Sequence, residues 1–349
     1  MHHPRSGWPL RSRSSSTLSW PRALALGVLV LALLGGQATA STGSASFGTA
    51  RETIKPTVQP ATGPGGRDYQ FNDVTAVRAG DAPTGAWIYT PVGTSEEEQG
   101  TLPVVVFLHG FGGTDPEVYG EWLQHLVRSG AVVIFPDYQE PGFFEGGQGA
   151  YLGNMFTGVE AALDLLGGAP NRVHVVGHSL GAVLTAAYGA LASAAGLPPA
   201  ATLTMIEPGG CRTCGNFGSF GVPLPLDRHI PAETLVRTVV GGDDDFVGDA
   251  DARSIQRMLD DVPEDRKVFE SIPSDDHGTP ALVADHLFPQ TGGSPDALDW
   301  FGLWRPLDAL ISCADAGQDC EIALGDGDER RFMGEWSDGT PVRSPVAVT

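Results

Sequence analysis

Gly177-His178-Ser179-Leu180-Gly181 sets a serine between two glycines, each two residues away. The pattern lies where a buried strand, Arg172–Val176, gives way to a small-residue helix running to about Ala195. A serine on so sharp a strand-to-helix turn has its hydroxyl lifted above the sheet, and the glycines let neighbouring backbones pass close by. The N-terminus of the following helix points its positive end at the place where an oxyanion would form. The chemistry implied is nucleophilic attack by Ser179 on a carbonyl, with the Leu180 amide as one oxyanion donor. A second glycine-rich turn, His109-Gly110-Phe111-Gly112-Gly113, follows the apolar run Val104–Leu108. It would supply the Phe111 amide as the other donor and the Phe111 ring as a wall of the acyl site.

A serine hydroxyl is a weak nucleophile near neutrality and needs a base. The spacing favours His277, in Ser274-Asp275-Asp276-His277-Gly278, directly after the strand-like Val268–Ile272. His286 falls on what reads as a helix or its edge, and His229 follows a Pro-rich stretch. His178 fills the variable position of the serine motif and His174 lies inside a strand; both read as structural. The acid that orients the base is expected in Gly241-Gly242-Asp243-Asp244-Asp245-Phe246-Val247. Asp245 is preferred, because the apolar pair after it could fold its carboxylate inward. Asp243 and Asp244 would then cap the turn or face water, and Glu207, at the end of the preceding strand, is the distant alternative. Asp249 and Asp251 continue the stretch as a solvated acidic loop, with no metal expected.

These residues need a scaffold that brings strand ends to one rim. Strand-like runs at Val74–Val77 and Ala86–Tyr89 are followed by an alternation of buried strand and helix. Strands read at Val104–Leu108, Ala131–Phe135, Arg172–Val176, Thr202–Ile206, Leu235–Val240 and Val268–Ile272. Helices read at Pro116–Arg128, Tyr151–Leu166, after Ser179, and over Ala250–Leu259. Continuous apolar strands of this kind are covered on both faces. Strands joined by helices imply right-handed crossovers and a mostly parallel α/β sheet. Ligands bind beyond the carboxyl ends of such strands, where the loops beginning at His109, Gly177, Glu207, Gly241 and Pro273 gather.

With His109–Gly113, Gly177–Gly181, Gly242–Asp245 and His277-Gly278 in that order, the chain resembles the α/β-hydrolase superfamily over roughly residues 70–312. Within it, the resemblance is to secreted bacterial esterases and lipases of the cutinase-like, polyester-hydrolase and chlorophyllase-like groups. It implies an α/β-hydrolase fold, an acyl-enzyme mechanism, no cofactor, and a small-molecule or polymeric ester as substrate. Two features depart from a minimal hydrolase. Residues 209–233, with Cys211-x-x-Cys214 and several Pro and Gly, read as a short cap, and residues 279–349 run well past the base. Trp300, Trp304 and Trp336 in that stretch read as core, with an aromatic cleft as the alternative.

Arg5, Arg11, Arg13 and Arg22, the apolar run Ala23–Leu34, and Ala38-Thr39-Ala40 make the parts of a secretory signal peptide over residues 1–40. The apolar run is short for a membrane span. Residues 41–66 read as a loose lead-in, with the hydrolase domain at 67–349 and a C-terminal extension at 313–349. Cleavage after Ala40 removes four arginines and no acid, taking the formal charge from −21 to −25. Such acidity favours solubility and opposes binding to nucleic acid or anionic membranes. In an exported chain, Cys211–Cys214 and Cys313–Cys320 are the simplest disulfide pairing. An exported serine peptidase, a cofactor-free haloperoxidase and a non-catalytic binding protein on the same fold are the rival functions.

Overall fold

The computed structural model describes residues 53–140, 148–216, 220–291 and 294–349. Residues 1–40, read above as a signal peptide, and the first part of the expected lead-in lie outside the described residues. The rest is built on a nine-stranded sheet of order β1-β2-β4-β3-β5-β6-β7-β8-β9. The strands are β1 (Val74–Ala79), β2 (Ala86–Pro91), β3 (Val104–Leu108), β4 (Val132–Pro136), β5 (Val173–His178), β6 (Ala200–Ile206), β7 (Leu235–Gly241), β8 (Lys267–Ile272) and β9 (Val346–Ala347). From β4 through β8 neighbouring strands are parallel. The outer pairs β1–β2, β2–β4 and β8–β9 are antiparallel. Every strand expected from the apolar runs is present; the two-residue β9 is an addition from the C-terminal end.

The helices are α1 (Glu96–Gln99), α2 (Gly120–Arg128), α3 (Tyr151–Leu165), α4 (Leu180–Leu191), α5 (Ala250–Ile255), α6 (Arg305–Ala316), α7 (Cys320–Leu324) and α8 (Asp328–Arg331). The alternation of side chains along a strand divides the core into two layers. Val104, Val106, Leu108 and Ile134 pack with Met155 and Val159 of α3 and with Ala182 and Val183 of α4. Val105, Phe107, Val133 and Phe135 pack on the other face with Trp122 of α2 and with Trp304 and Leu307. Trp304 and Trp336 are both buried, in keeping with a core role.

The expected loose lead-in is not loose where it is described. The Gly65 amide donates to Asp308 Oδ2 at 2.7 Å, and the Thr279 and Ser337 amides donate to the carbonyls of Ile54 and Lys55. Residues 53–66 therefore strap across α6 and the C-terminal segment. That segment is also integral, since β9 pairs with β8. Both expected disulfides are present, Cys211–Cys214 and Cys313–Cys320.

A buried ion cluster ties β7 to β8. Arg237 of β7 donates through Nε at 2.9 Å and Nη2 at 2.6 Å to Glu270 Oε1 of β8, and Arg330 of α8 pairs with the other oxygen. Both Arg237 and Glu270 are about 1% exposed. Removing one partner of such a pair strands the other charge in a medium that solvates it poorly. Glu270→Ala is therefore expected to lose about 3–5 kcal/mol of stability, measured as a drop in the urea unfolding midpoint.

Candidate active site

Ser179 sits directly after β5 with φ 56° and ψ −118°, a conformation that L-residues rarely adopt. The turn is tight because nothing larger than hydrogen fits at its two glycines. A Cβ on Gly181 would lie 2.0 Å from the Leu108 carbonyl oxygen, and one on Gly177 would lie 2.3 Å from the Gly181 oxygen. The Ser179 amide donates to the Ile206 carbonyl of β6 at 2.8 Å, and its own carbonyl accepts the first helical bonds from Ala182 and Val183. The loop 109–113 abuts it: a Cβ on Gly110 would stand 3.4 Å from Ser179 Cβ. Phe111, half-buried in that loop, meets the cap through an edge-on contact with Phe220 at 5.1 Å. Leu180 is the first residue of α4.

The imidazole at the serine is His286, not His277. His286 Nε2 lies 3.0 Å from Ser179 Oγ, and its Nδ1 lies 2.9 Å from Asp244 Oδ2. His277 instead pairs with Asp338 at 2.9 Å and rests beside Trp336, with about a third of its side chain exposed. Its amide closes a turn onto Asp275 Oδ1. Asp275 is buried there by the Trp336 indole N–H and the Arg343 amide, both donating to its Oδ2. The 274–278 turn thus faces the C-terminal segment. The chain then runs back as an extended strap in which Leu282, Ala284 and His286 point inward and Val283, Asp285 and Leu287 outward. Leu282 exchanges both backbone bonds with Asp275, and the Ala284 carbonyl accepts from the Asp243 amide. The signal was legible as period-two alternation in Leu282-Val283-Ala284-Asp285-His286-Leu287, read above as a helix edge.

The acid is likewise displaced by one residue, from Asp245 to Asp244. Asp245 is exposed. The apolar pair does not turn inward to bury it, since Phe246 is 74% exposed. Instead the amides of Phe246 and Val247 fold back to donate to Asp244 Oδ1 at 2.9 and 3.0 Å. Burial by itself would raise the Asp244 carboxyl, but the bonds from His286, Val247 and Phe246 hold it below its ordinary value, so it is ionised. The Phe246 ring lies 5.0 Å from that of His286. Asp251, expected in a solvated loop, is buried; it accepts the Cys211 amide at 2.8 Å and Asn216 Nδ2 at 2.6 Å, anchoring the cap.

Behind this row stands a second polar layer. His178 Nε2 lies 2.9 Å from the His286 carbonyl, which can only accept, so Nε2 carries the proton. His178 Nδ1 then accepts from the Tyr119 hydroxyl at 2.8 Å, and the Tyr119 oxygen accepts the Gly110 amide at 2.9 Å. One chain of bonds therefore joins the loop 109–113 to the backbone of His286. Burial, and next the neighbouring His286, push His178 down to about 3, so it stays neutral. Glu207 follows β6 with φ 49° and is wholly buried. Its Oε2 lies 3.4 Å from His178 Nε2 and 3.7 Å from His286 Nδ1. Burial, and then the charges of Asp244 and Asp285, push its carboxyl well above the ordinary range. These groups do not make a metal centre: His178 Nε2 and His286 Nδ1 are both used as N–H donors, and Cys211 and Cys214 are joined to each other. A groove of about 840 Å³ lined by Arg172, Ala201, Leu235 and Cys313 lies at the start of β6 and β7, the edge opposite Ser179.

The profile described as the alpha/beta hydrolase family matches residues 105–339, and the chain belongs to that family. Among solved structures it is similar to esterase B from Lactobacillus rhamnosis, inhibited by a tributyrin phosphonate, at 14% identity and a TM-score of 0.50. That match covers 73% of this chain and 92% of the other. It is also similar to a truncated carbohydrate esterase from gut microbiota, at 11% identity and a TM-score of 0.50, covering 72% of this chain and 99% of that one. At these identities the likeness is one of fold. No protein with a curated description matches the sequence.

Two outcomes follow from this geometry. His286→Gln is expected to lose Ser179 labelling by a fluorophosphonate by about 10³-fold or more, whereas His277→Gln labels within about threefold of the parent. Glu207 bears on pH. A carboxyl raised above its ordinary 4.5 favours the fold below that value, and this contribution is lost as pH rises through the folded value. Glu207→Gln cannot ionise, so its urea midpoint is expected to gain on the parent as pH climbs from about 5 to about 8.

Proposed function

We propose that the protein is an exported serine hydrolase that cleaves carboxylic esters through an acyl-enzyme intermediate. The observation that carries this reading is the unbroken row Ser179 Oγ, His286, Asp244, with spacings of 3.0 and 2.9 Å, at the carboxyl ends of β5, β7 and β8. His286 takes the Ser179 proton as the hydroxyl attacks the ester carbonyl, and ionised Asp244 holds the ring and offsets the imidazolium charge. The amides of Phe111 and Leu180 receive the tetrahedral oxyanion. His286 then protonates the leaving alcohol, and water repeats the sequence to release the acid.

Two structures of this fold, an esterase B and a carbohydrate esterase, are in keeping with an ester substrate, and the fold by itself leaves amides to the assay below. Phe111, Phe220 and Phe246 give the mouth of the site an aromatic lining suited to an apolar acyl or alcohol group. Two disulfides and the signal-like residues 1–40 support export, because such bonds persist in oxidising compartments. Among the described residues no helix is long and apolar enough to cross a membrane.

Ser179→Ala is expected to keep its circular dichroism spectrum while losing both fluorophosphonate labelling and p-nitrophenyl ester hydrolysis. Ester hydrolysis that survives this substitution at a rate near the parent's overturns the mechanism. A series from acetate to palmitate, with one insoluble polyester and a matched peptide amide, reads the substrate. Turnover of the amide in preference to every ester would make the protein a peptidase instead.

A further inference from the structure

The row of serine, imidazole and Asp244 leaves a second acid unused. Glu207 reaches the same imidazole nitrogen from the end of β6, while Asp244 reaches it from the loop after β7. Its Oε2 is only 0.8 Å farther from His286 Nδ1, at 3.7 Å against 2.9 Å. No side chain hydrogen-bonds to either Glu207 oxygen, and the Gly241 amide is the backbone donor that faces it, although the residue is 0% exposed. A buried carboxyl so poorly partnered is costly, and so is the left-handed backbone that carries it, at φ 49° on a residue other than glycine. The neighbouring strand also leaves room for it: a Cβ on Gly241 would come within 2.4 Å of Glu207 Oε1. A merely apolar side chain would fill this space without the first of these costs.

We propose that Glu207 is a reserve acid for His286, a positioning residue that holds Nδ1–H whenever Asp244 does not. This rests on His286 being the base of the hydrolase proposed above. Two carboxylates cannot both ionise cheaply so close together in a buried site. Asp244 accepts two amides as well as His286, so it keeps the charge, and Glu207 keeps a proton. The groups facing Glu207 are His178 and His286, with the charges of Asp244 and Asp285 nearby. If the Asp244 charge is removed, the nearest charge opposing ionisation goes with it. Glu207 then releases its proton to the buffer and closes the remaining gap to Nδ1–H.

The test is a double-mutant cycle on the full chain: parent, Glu207→Gln, Asp244→Ala and the double variant, with the rate of Ser179 labelling by a fluorophosphonate measured from about pH 5 to about pH 9. Glu207→Gln is expected to cost at least about tenfold more in the Asp244→Ala background than in the parent. In Asp244→Ala the labelling rate should climb with pH through an ionisation that the double variant lacks. Asp244→Ser, whose hydroxyl can still accept the Phe246 amide, repeats the cycle should the alanine variant fold poorly. Equal factors in the two backgrounds, with unchanged pH profiles, overturn the proposal.

A second readout does not depend on hydrolysis. The low-field proton resonance of a hydrogen-bonded His286 Nδ1–H should persist in Asp244→Ala and vanish in the double variant. Its loss in Asp244→Ala alone overturns the reserve-acid role. A parent that fails to label strikes the hydrolase reading instead, and the resonance still decides the carboxyl contact.

Discussion

The structure turns on how closely two pieces of backbone can approach beneath Ser179. Gly181 passes so near the Leu108 carbonyl that no side chain fits between them, and Gly177 passes equally close to Gly181. Only that contact lets β5 reverse into α4 within one residue, forcing Ser179 to positive φ. Strain of this kind costs on the order of 1–3 kcal/mol and persists where surrounding packing over-determines it. Here β5 is the central parallel strand between β3 and β6, and all six of its residues are buried. The position of the hydroxyl is thus set by a wholly buried strand at the centre of the sheet, while Asp244 and His286 reach it from loops.

The polar groups around that turn are arranged so that one negative charge sits at the imidazole. Three donors converge on Asp244 and hold it below its ordinary value, whereas burial, and then the charges of Asp244 and Asp285, push Glu207 well above its own. His178 is neutral with both ring nitrogens used, so it adds no competing positive charge next to His286. In a water-poor environment each uncompensated charge would be strongly felt. The arrangement confines that cost to the one carboxylate hydrogen-bonded to His286.

Most of the scaffold was legible in the sequence because buried parallel strands are continuous apolar runs, and the serine motif is local. The two-residue β9 was not, since Val346-Ala347 gains strand geometry only by lying along β8. The base and the acid failed for related reasons. His277 follows β8 closely in sequence, but its turn is claimed by Trp336 and Asp338, some sixty residues farther on. Asp244 and Asp245 differ only in which way a tight turn faces, and that is decided by the amides of Phe246 and Val247 folding back. Tertiary partners settled both positions where short-range spacing could not. Glu207, considered only as a remote substitute for the acid, lies beside the imidazole because β6 and β7 are neighbours in register.

Asp275 gives the site an unusual dependence on time. It fixes the register of the strap through Leu282, yet its own carboxylate is held by the Trp336 indole and the Arg343 amide. A chain that emerges from the ribosome amino end first makes its serine, its acids and its imidazole long before those two anchors. The strap that leads to His286 thus leans, through Asp275, on residues 336–343. A chain cut before Trp336 would keep Ser179, Asp244 and His286 and lose both anchors of Asp275.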